Sequence, residues 1–252
     1  MSSMEVFNMK IIAHRGFSGK YPENTLLAFE KAVEASSDAI ELDVQLTKDG
    51  TLVLFHDDTF NRLIQTEGFL LDHTWTDLEQ YQIRKRLFNR TVYAPILSLE
   101  SYFNWAQDRD IMTVIELKNN LRSHEGMEEK LVSLTKKFKL EHRVIFSSFQ
   151  KDSVLKLKAL DPLIPCAYIT KLRKEEDLSW IESAQIEFIH PKFTSLWPWN
   201  IAKLKKLGVR ISPWTVNHPL FMWYLLHIPN LYGMITDRPD RLKKVLQRKR
   251  KT

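Results

Sequence analysis

Two histidines and several acidic residues lie near the start of the chain, in short runs whose residue types suit acid and base chemistry. The runs cover residues 14–16, 22–25, 41–43, 48–50 and 56–57. Histidine exchanges a proton near neutral pH, and carboxylates bind hard cations. The pattern therefore indicates metal-assisted acid and base catalysis, provided that the fold brings these runs to one point.

The acidic residues suggest a cation site. Glu41 and Asp43 lie two positions apart in a run that predicts a strand, so their side chains share one face. Glu116 has the matching place in a later strand, and three buried carboxylates need a positive partner. Because no histidine and cysteine set has zinc spacing, oxygen ligands favour Mg²⁺ or Ca²⁺. A salt-bridged strand end is the alternative for Glu41 and Asp43 alone.

The histidines and nearby cations suggest the rest of a catalytic site. His14 ends the first predicted strand and His56 ends a hairpin that returns to the same place, so the two can act as an acid and base pair. Arg15 and Lys118 can hold an anionic substrate, since arginine grips phosphate oxygens at two points. Pairing with the acids is the alternative for both cations.

The elements that must position these residues alternate between apolar strand patterns and amphipathic helix patterns, which predicts a parallel sheet. Eight strands are predicted at 10–13, 39–45, 112–118, 144–147, 165–169, 187–190, 209–214 and 233–236. This count favours the α/β class and a TIM-type (β/α)8 barrel, whose active site lies at the carboxyl ends of the strands. A ninth run, 51–56, follows a hairpin signal and is placed outside the barrel.

Residues 57–95 do not fit the barrel repeat and are interpreted as an insertion over the barrel mouth, either a lid or a mobile surface loop. Capping side chains are predicted for several helices, namely Asn24, Ser98, Asn217 and Asp237. Gly208 is predicted to end another helix. The longest apolar run, residues 220–228, predicts a buried helix.

Composition limits the function classes. Hydrophobic residues make up 44% of the 252-residue chain, which predicts one globular domain over residues 10–252. No run is long enough to span a bilayer, no secretory signal is visible, and a cytoplasmic location is expected. A single cysteine, Cys166, excludes an intrachain disulfide and is interpreted as a packing residue.

The net charge of +6 comes from the end of the chain. Residues 241–252 contain seven basic side chains and no acid, so the rest of the chain is close to neutral. This balance argues against a nucleic-acid groove. The basic segment is interpreted as a solvated helix end or tail, with weak contact to anionic lipid headgroups as the alternative.

Taken together, these motifs resemble the signature of the glycerophosphodiester phosphodiesterases. The residues that carry the resemblance cover nearly the whole chain. They are His14, Arg15, Gly16, Pro22, Glu23, Asn24, Thr25, Ala28, Phe29, Ile40, Glu41, Leu42, Asp43, Val44, Thr47, Lys48, Asp49, Gly50, His56, Asp57, Glu116, Leu117, Lys118, Ser148, Phe149, Trp214, Thr215, Val216, Asn217, Thr236, Asp237, Arg238 and Pro239.

The resemblance implies a β/α barrel with a small insertion and the hydrolysis of a glycerophosphodiester to an alcohol and sn-glycerol 3-phosphate. It assigns a divalent cation to Glu41, Asp43 and Glu116, acid and base roles to His14 and His56, and phosphate contacts to Arg15 and Lys118. Trp214 would line the glycerol side of the pocket or, alternatively, belong to the core. The nucleophile is either water or the 2-hydroxyl of the substrate, and the two histidine roles remain interchangeable.

Two alternatives accompany this interpretation. A phospholipase D type activity on lysophospholipids or sphingolipids would need an apolar groove near Trp75 and residues 69–71. A non-catalytic phosphodiester-binding protein would have no activity that chelation could remove. No residue pattern specifies the headgroup, the choice between Mg²⁺ and Ca²⁺, or an oligomeric state.

Overall fold

Eight parallel strands form a nearly closed barrel in the computed structural model, which describes residues 9–119 and 125–249. In space the barrel strands follow the order β10, β9, β8, β7, β6, β2, β1, β11, and a bridge between Ile211 and Leu231 lies where the two ends meet. The described strands are β1 (Lys10–His14), β2 (Ala39–Leu46), β3 (Leu52–Leu54), β4 (Gln82–Leu87), β5 (Arg90–Pro95), β6 (Met112–Leu117), β7 (Val144–Ser148), β8 (Cys166–Thr170), β9 (Phe188–Pro191), β10 (Arg210–Ile211) and β11 (Gly233–Thr236). The predicted TIM-type (β/α)8 barrel is confirmed.

Helices connect most of the barrel strands and cover the outside of the barrel. The described helices are α1 (Leu26–Glu34), α2 (Trp75–Leu78), α3 (Leu99–Ala106), α4 (Met127–Lys137), α5 (Lys151–Leu160), α6 (Glu175–Ser183), α7 (Pro198–Leu207), α8 (Pro219–Leu225) and α9 (Pro239–Lys249). Ser98 caps α3 and Gly208, with a φ of 70°, ends α7, as the sequence predicts. Among these helices, none is both long and apolar enough to cross a bilayer.

Side-chain alternation divides the barrel interior into layers. An apolar layer fills the amino-terminal half and includes Ile12, Ala39, Val114, Ile145 and Ile235. Two residues further along their strands, the same face carries the polar side chains of His14, Glu41, Glu116 and Ser147, which line a cavity. The apolar layer therefore supports a polar layer at the carboxyl ends of the strands.

The segment after β3 forms the insertion. Its strands β4 and β5 make a separate antiparallel sheet. A second hydrophobic cluster, which includes Phe55, Phe60, Leu70, Leu78 and Ile83, packs beneath this sheet. Strand β3 pairs antiparallel with β2 outside the barrel, in agreement with the predicted hairpin.

Two predicted caps are wrong, and the third predicted capping residue, Asp237, bonds to other side chains. Thr25 caps α1 by accepting a hydrogen bond from the Ala28 backbone, and the ring of His218 caps α8 by accepting from Leu220 N–H. Asn24 and Asn217, together with Asp237, instead bond to side chains distant in sequence. These residue types favour caps, but buried charges elsewhere in the fold compete for the same polar atoms.

Two further expectations need correction. The run 220–228 contains helix α8, but this helix is only half-buried, because Leu220, Phe221, Trp223 and Tyr224 face solvent. The strand predicted at 209–214 is shorter, since Pro213 has no N–H with which to continue a ladder. Cys166 is buried, as expected. Of the basic segment 241–252, residues 250–252 lie outside the described residues.

Candidate active site

A cavity of about 190 Å³ opens at the carboxyl ends of the barrel strands. This is the end at which barrel enzymes carry their active sites. All eight barrel strands, or the segments that follow them, contribute lining residues, and one more lining residue follows β3. They are His14, Arg15, Glu41, His56, Glu116, Lys118, Ser147, Phe149, Ile169, Lys171, His190, Trp214, Thr215 and Ile235.

Strand register brings the three predicted carboxylates together. The pairing of β1 with β2 sets His14 beside Glu41, and the pairing of β2 with β6 sets Asp43 beside Glu116. One carboxylate oxygen from each of Glu41, Asp43 and Glu116 lies within 4.8 Å of the other two. All three residues are buried.

The three residues of this cluster are all acids, so the cluster has no positive charge of its own. Burial, followed by the charges of Asp43 and Glu116, raises the pKa of Glu41 well above its ordinary value. Burial also tends to raise the pKa of Asp43, but the cations of Arg15 and Lys118 outweigh it and hold this pKa below its ordinary value. One Asp43 oxygen, Oδ1, is buried without a hydrogen-bond partner among the described residues.

These features suit a divalent cation. Three clustered carboxylates supply the oxygen ligands that Mg²⁺ and Ca²⁺ prefer, and the unpartnered Oδ1 of Asp43 supplies a free acceptor. A dication would favour the ionised form of Glu41, which burial disfavours. The acidic cluster therefore fits a hard cation better than it fits a purely structural ion-pair network.

Two cations flank the acidic cluster. Arg15 Nε lies 3.0 Å from Asp43 Oδ2, and Arg15 Nη1 donates to Glu23 Oε1 at 2.7 Å. Lys118 Nζ donates to Glu116 Oε1 at 2.7 Å and lies 3.7 Å from Asp43 Oδ1. Arg15 and Lys118 therefore pair with the acids, which is the alternative that the sequence analysis gave for them. Both side chains also line the cavity.

A tight turn after β1 aims Arg15 at this cluster. Arg15 and Gly16 have φ angles of 54° and 76°, and a side chain at Gly16 would collide with the Ala28 backbone, 2.7 Å from the added carbon. The turn lets the Arg15 backbone N–H donate to Glu41 Oε2 at 3.0 Å. Asn24 adds a hydrogen bond to Asp43 Oδ2 at 2.9 Å.

His14 is held by a carboxylate from the segment after the last barrel strand. Its Nδ1 lies 2.6 Å from Asp237 Oδ1, and the other Asp237 oxygen accepts from Asn217 Nδ2 at 2.6 Å. Burial tends to raise the pKa of Asp237, but His14, Asn217 and Ser18 outweigh burial and lower it. The carboxylate therefore stays ionised beside the imidazole, as a residue that fixes its orientation.

His56 has an equivalent partner. Its Nδ1 lies 2.5 Å from Asp57 Oδ1, and Arg62 donates to both oxygens of Asp57. Arg62 also donates to both oxygens of Glu23, which in turn accepts from Arg15. This chain of contacts connects the insertion to the cavity, and it lowers the pKa of Asp57 although burial opposes the change.

Both histidines therefore direct Nδ1 at a carboxylate. When Nδ1 carries the hydrogen that the carboxylate accepts, Nε2 remains available to take or give a proton. Both rings line the cavity, His14 from β1 and His56 from the segment after β3. The arrangement is able to move two protons at one substrate.

Aromatic and apolar residues line the other side of the cavity. Trp214 donates from Nε1 to the His190 carbonyl at 2.8 Å and meets Phe149 edge-on at 5.8 Å between ring centres. His190 is fully buried, and burial lowers its pKa to about 3, so its ring is neutral. Trp214 thus lies in the cavity wall. The sequence analysis allowed either a substrate contact or a core position for this residue.

Sequence reasoning placed His14, Arg15, Glu41, Asp43, His56, Glu116, Lys118 and Trp214 at one site, and the structure brings them together. It assigned no site role to Asp237, Asn217, Asn24, Glu23 or Arg62. Four of these five residues lie inside the motifs that carry the family resemblance. Their position in those motifs is the sequence feature that could have identified them as site residues.

The barrel and its cavity define the protein as a (β/α)8-barrel enzyme. A family model described as "Glycerophosphoryl diester phosphodiesterase family" matches residues 14–241. The chain therefore belongs to the glycerophosphoryl diester phosphodiesterase family and is a phosphodiesterase. The resemblance drawn from its motifs is confirmed.

Individual relatives agree with this assignment. The chain is 35% identical over 239 residues to a glycerophosphodiester phosphodiesterase of Bacillus altitudinis, covering 94% of this chain and 97% of that one. It is 34% identical over 232 residues to a protein of the same name from Caldanaerobacter subterraneus subsp. tengcongensis, covering 92% and 95%. The fold is shared with an Oleispira antarctica phosphodiesterase, solved with the product sn-glycerol-3-phosphate, which superposes with a TM-score of 0.79 at 23% identity, covering 94% and 96%.

Proposed function

We propose that the protein hydrolyses glycerophosphodiesters to an alcohol and sn-glycerol 3-phosphate, with a divalent cation and a histidine pair. The observation that carries this proposal is the convergence of two carboxylate-held histidines, three carboxylates and two cations on one cavity. The names of the relatives from Bacillus altitudinis and Caldanaerobacter support this reaction. The product bound by the Oleispira enzyme supports the proposal that the phosphate stays on the glycerol side of the diester.

Glu41, Asp43 and Glu116 would hold one Mg²⁺ or Ca²⁺ ion. When bound, the ion supplies electrophilic withdrawal of charge from a nonbridging phosphate oxygen. Arg15 and Lys118 would hold the other phosphate oxygens, because each already lies beside the acidic cluster and also faces the cavity. Asp43 would keep Arg15 in place, and Glu116 would keep Lys118 in place.

His14 and His56 would share the proton transfers. One imidazole would take a proton at Nε2 from the nucleophile, while the other would protonate the oxygen of the departing alcohol. The nucleophile is either water or the 2-hydroxyl of the substrate, and in the second case water would then open the cyclic phosphodiester to give glycerol 3-phosphate. Asp237 and Asp57 would accept from the two Nδ1–H groups, so each ring would keep one tautomer and one orientation. Trp214 would cover the glycerol side of the substrate, opposite the charged residues.

The insertion, residues 57–95, would act as a cover for the barrel mouth. Arg62 supports this role, since it is the insertion residue that binds Asp57 beside His56 and Glu23 beside Arg15. Closing or shifting the insertion would therefore move the supports of one histidine and one phosphate-binding cation together.

The first test is to replace each histidine. We expect His14→Ala and His56→Ala to abolish release of glycerol 3-phosphate from glycerophosphocholine while circular dichroism and the thermal midpoint show a folded chain. His142→Ala, at an exposed position in the turn before β7, is the control. Normal turnover in both active-site variants would refute the assignment of the histidine pair.

The second test addresses the metal and the substrate. We expect EDTA to remove the activity and Mg²⁺ or Ca²⁺ to restore it, on a panel of glycerophosphodiesters with coupled detection of glycerol 3-phosphate. The alternative phospholipase D activity is not favoured, because Leu70 is fully buried and Trp75 packs against the same cluster instead of forming an apolar groove. Turnover of lysophosphatidylcholine in preference to glycerophosphocholine would contradict the proposal.

A further inference from the structure

Helix α8 exposes large apolar side chains beside the mouth of the barrel. Leu220 is 72% exposed and Phe221 is 50% exposed, and they form one wall of a groove of about 940 Å³. Trp197 and Phe193, from the segment after β9, form the opposite wall. Large aromatic and aliphatic side chains this exposed are unusual on a soluble surface when they adjoin one another.

A second pair of exposed rings extends this surface. Trp197 and Trp199 stack with their ring centres 5.5 Å apart and their planes 4° from parallel. Trp199 is 61% exposed. We call the side chains of Phe193, Trp197, Trp199, Leu220, Phe221 and Tyr224 the aromatic face. Tryptophan and tyrosine are the residues that favour the boundary between lipid and water.

Next to the aromatic face lies a basic hollow of about 490 Å³, which shares Trp197 and Thr194 with the groove. Its charged lining residues are Lys171, Arg173, Lys174, Lys192, Lys203 and Glu175, of which Lys203 and Glu175 pair with each other. Within the described residues, Lys171, Arg173, Lys174 and Lys192 have no ion-pair partner. The hollow therefore carries an uncompensated positive charge.

The hollow and the catalytic cavity are neighbours. Lys171 follows β8 and lines both, and Trp214 and helix α8 both follow β10. The aromatic face, the basic hollow and the cavity thus lie along the carboxyl ends of β8, β9 and β10. A binding partner that covers the aromatic face and the basic hollow would therefore also lie at the mouth of the cavity.

We propose that the aromatic face and the basic hollow dock the protein onto an anionic phospholipid bilayer, with the catalytic mouth turned toward the lipid headgroups. Charge complementarity identifies this partner: unpaired lysines and arginine attract anionic headgroups, and adjoining tryptophan, phenylalanine and leucine side chains insert at the level of the acyl boundary. The proposal extends beyond the hydrolysis itself, because it concerns where the protein lies and not what it cleaves.

The test is co-sedimentation of the full chain with vesicles of phosphatidylcholine alone or mixed with phosphatidylglycerol. We expect binding to the anionic vesicles, weaker binding to the neutral ones, and release by added salt. The variants Trp199→Ala with Phe221→Ala, and Arg173→Gln with Lys174→Gln, should each lower the partition coefficient about tenfold or more. None of these four residues lines the catalytic cavity.

The matched control is Lys244→Gln with Arg248→Gln, which removes two exposed cations from the basic helix α9. It should bind anionic vesicles as the unaltered protein does. Absence of vesicle binding, equal binding to neutral vesicles, unchanged binding of the first two variants, or loss in the α9 control would each overturn the proposal. Self-association through the aromatic face without vesicle binding would also overturn it.

Activity separates this proposal from the proposed function. All variants should hydrolyse soluble glycerophosphocholine at the rate of the unaltered protein, because the substitutions leave the cavity intact. Loss of vesicle binding with normal turnover in the two docking variants supports docking. Binding by an inactive protein would instead count against the proposed reaction alone.

Discussion

At the scale of single residues, the two histidines differ from ordinary surface histidines because each has a carboxylate within hydrogen-bond distance of Nδ1. Asp237 reaches His14 from the other end of the chain, whereas Asp57 is the next residue after His56. Both carboxylates are additionally held by donors, Asn217 for the first and Arg62 for the second. A carboxylate held in this way orients its imidazole even before substrate binds.

Asp237→Asn tests this orientation. We expect kcat/KM for glycerophosphodiester hydrolysis to fall by about 100-fold or more, because a neutral amide no longer fixes the Nδ1–H tautomer and the orientation of His14. Asp240→Asn is the control, since Asp240 pairs with Arg238 and Lys20 at the start of α9. Equal losses in both variants would indicate a structural effect and contradict the assigned role.

The lowered pKa of Asp237 also predicts that the free energy of unfolding depends on pH. Its pKa lies below its unfolded value of about 3.9, so the unfolded chain binds the proton more tightly. The stabilisation is therefore complete above about pH 4 and is lost as the pH falls through the folded pKa. Urea titrations should show a larger difference in the free energy of unfolding between the unaltered protein and Asp237→Asn at neutral pH than in acid.

An aspartate in an exposed loop supplies the control for this titration. Asp110 is exposed between α3 and β6, and Asp110→Asn should show nearly the same free energy of unfolding as the unaltered protein at both pH values. A difference for Asp237→Asn that stays constant between neutral and acid pH would contradict the ionic contribution.

At the scale of elements, a bridging arginine connects the insertion to the residues around the cavity. Arg62 lies on the insertion, and its guanidinium binds Asp57 and Glu23 at once. Glu23 lies before α1 and also accepts from Arg15. The position of the insertion is therefore coupled to a histidine and to a cavity cation.

Arg62→Gln should loosen this coupling. We expect an activity loss of about 10- to 100-fold, the range typical of residues that orient others, with a smaller change in the thermal midpoint. Arg86→Gln, at an exposed position on β4 of the same insertion, should change neither. If Arg62→Gln retained full kcat and KM, the insertion would have no part in holding the site.

Alternation along the strands explains why much of the site could be predicted. Glu41, Asp43 and Glu116 follow from a period of two and from the parallel register of β2 and β6. Asn24, Asn217 and Asp237 could not be placed in the same way. Each stands where a helix cap is expected, and only the tertiary fold shows that its polar atoms serve Asp43 or His14 instead.

The hydrophobic pattern was informative about helix α8 but not about its surroundings. A run of apolar side chains predicts a helix, and α8 is present. Its burial depends on what packs around it, and the helix leaves Leu220, Phe221, Trp223 and Tyr224 in solvent. Hydrophobicity alone cannot distinguish a side chain that completes the core from one that meets another surface.

At the scale of the whole molecule, the proposed cation site predicts a link between folding stability and the ion. Burial and the neighbouring carboxylates push Glu41 toward its protonated form, and a bound cation would offset this effect. An ion that binds only the folded chain adds stability that rises with the logarithm of its concentration. At about 100 times the dissociation constant, Mg²⁺ or Ca²⁺ should raise the free energy of unfolding by about 2.7 kcal/mol. Denaturant titrations with and without the ion measure this change.

Substitution of one ligand should remove this response. Glu116→Gln should show little added stability from the ion, while Glu128→Gln, which alters a buried carboxylate of α4 that bonds to Ser153, should keep it. Stabilisation of Glu116→Gln equal to that of the unaltered protein would place the ion somewhere other than the acidic cluster.

The contact between His14 and Asp237 joins the first barrel strand to the segment after the last one, across 223 positions of sequence. During synthesis, a nascent chain that has not yet produced β11 lacks both the edge partner of β1 and the carboxylate that holds His14. Every translation product that ends before Asp237 therefore leaves the His14 imidazole without this carboxylate. Chains terminated before β11 should accordingly be inert toward phosphodiesters.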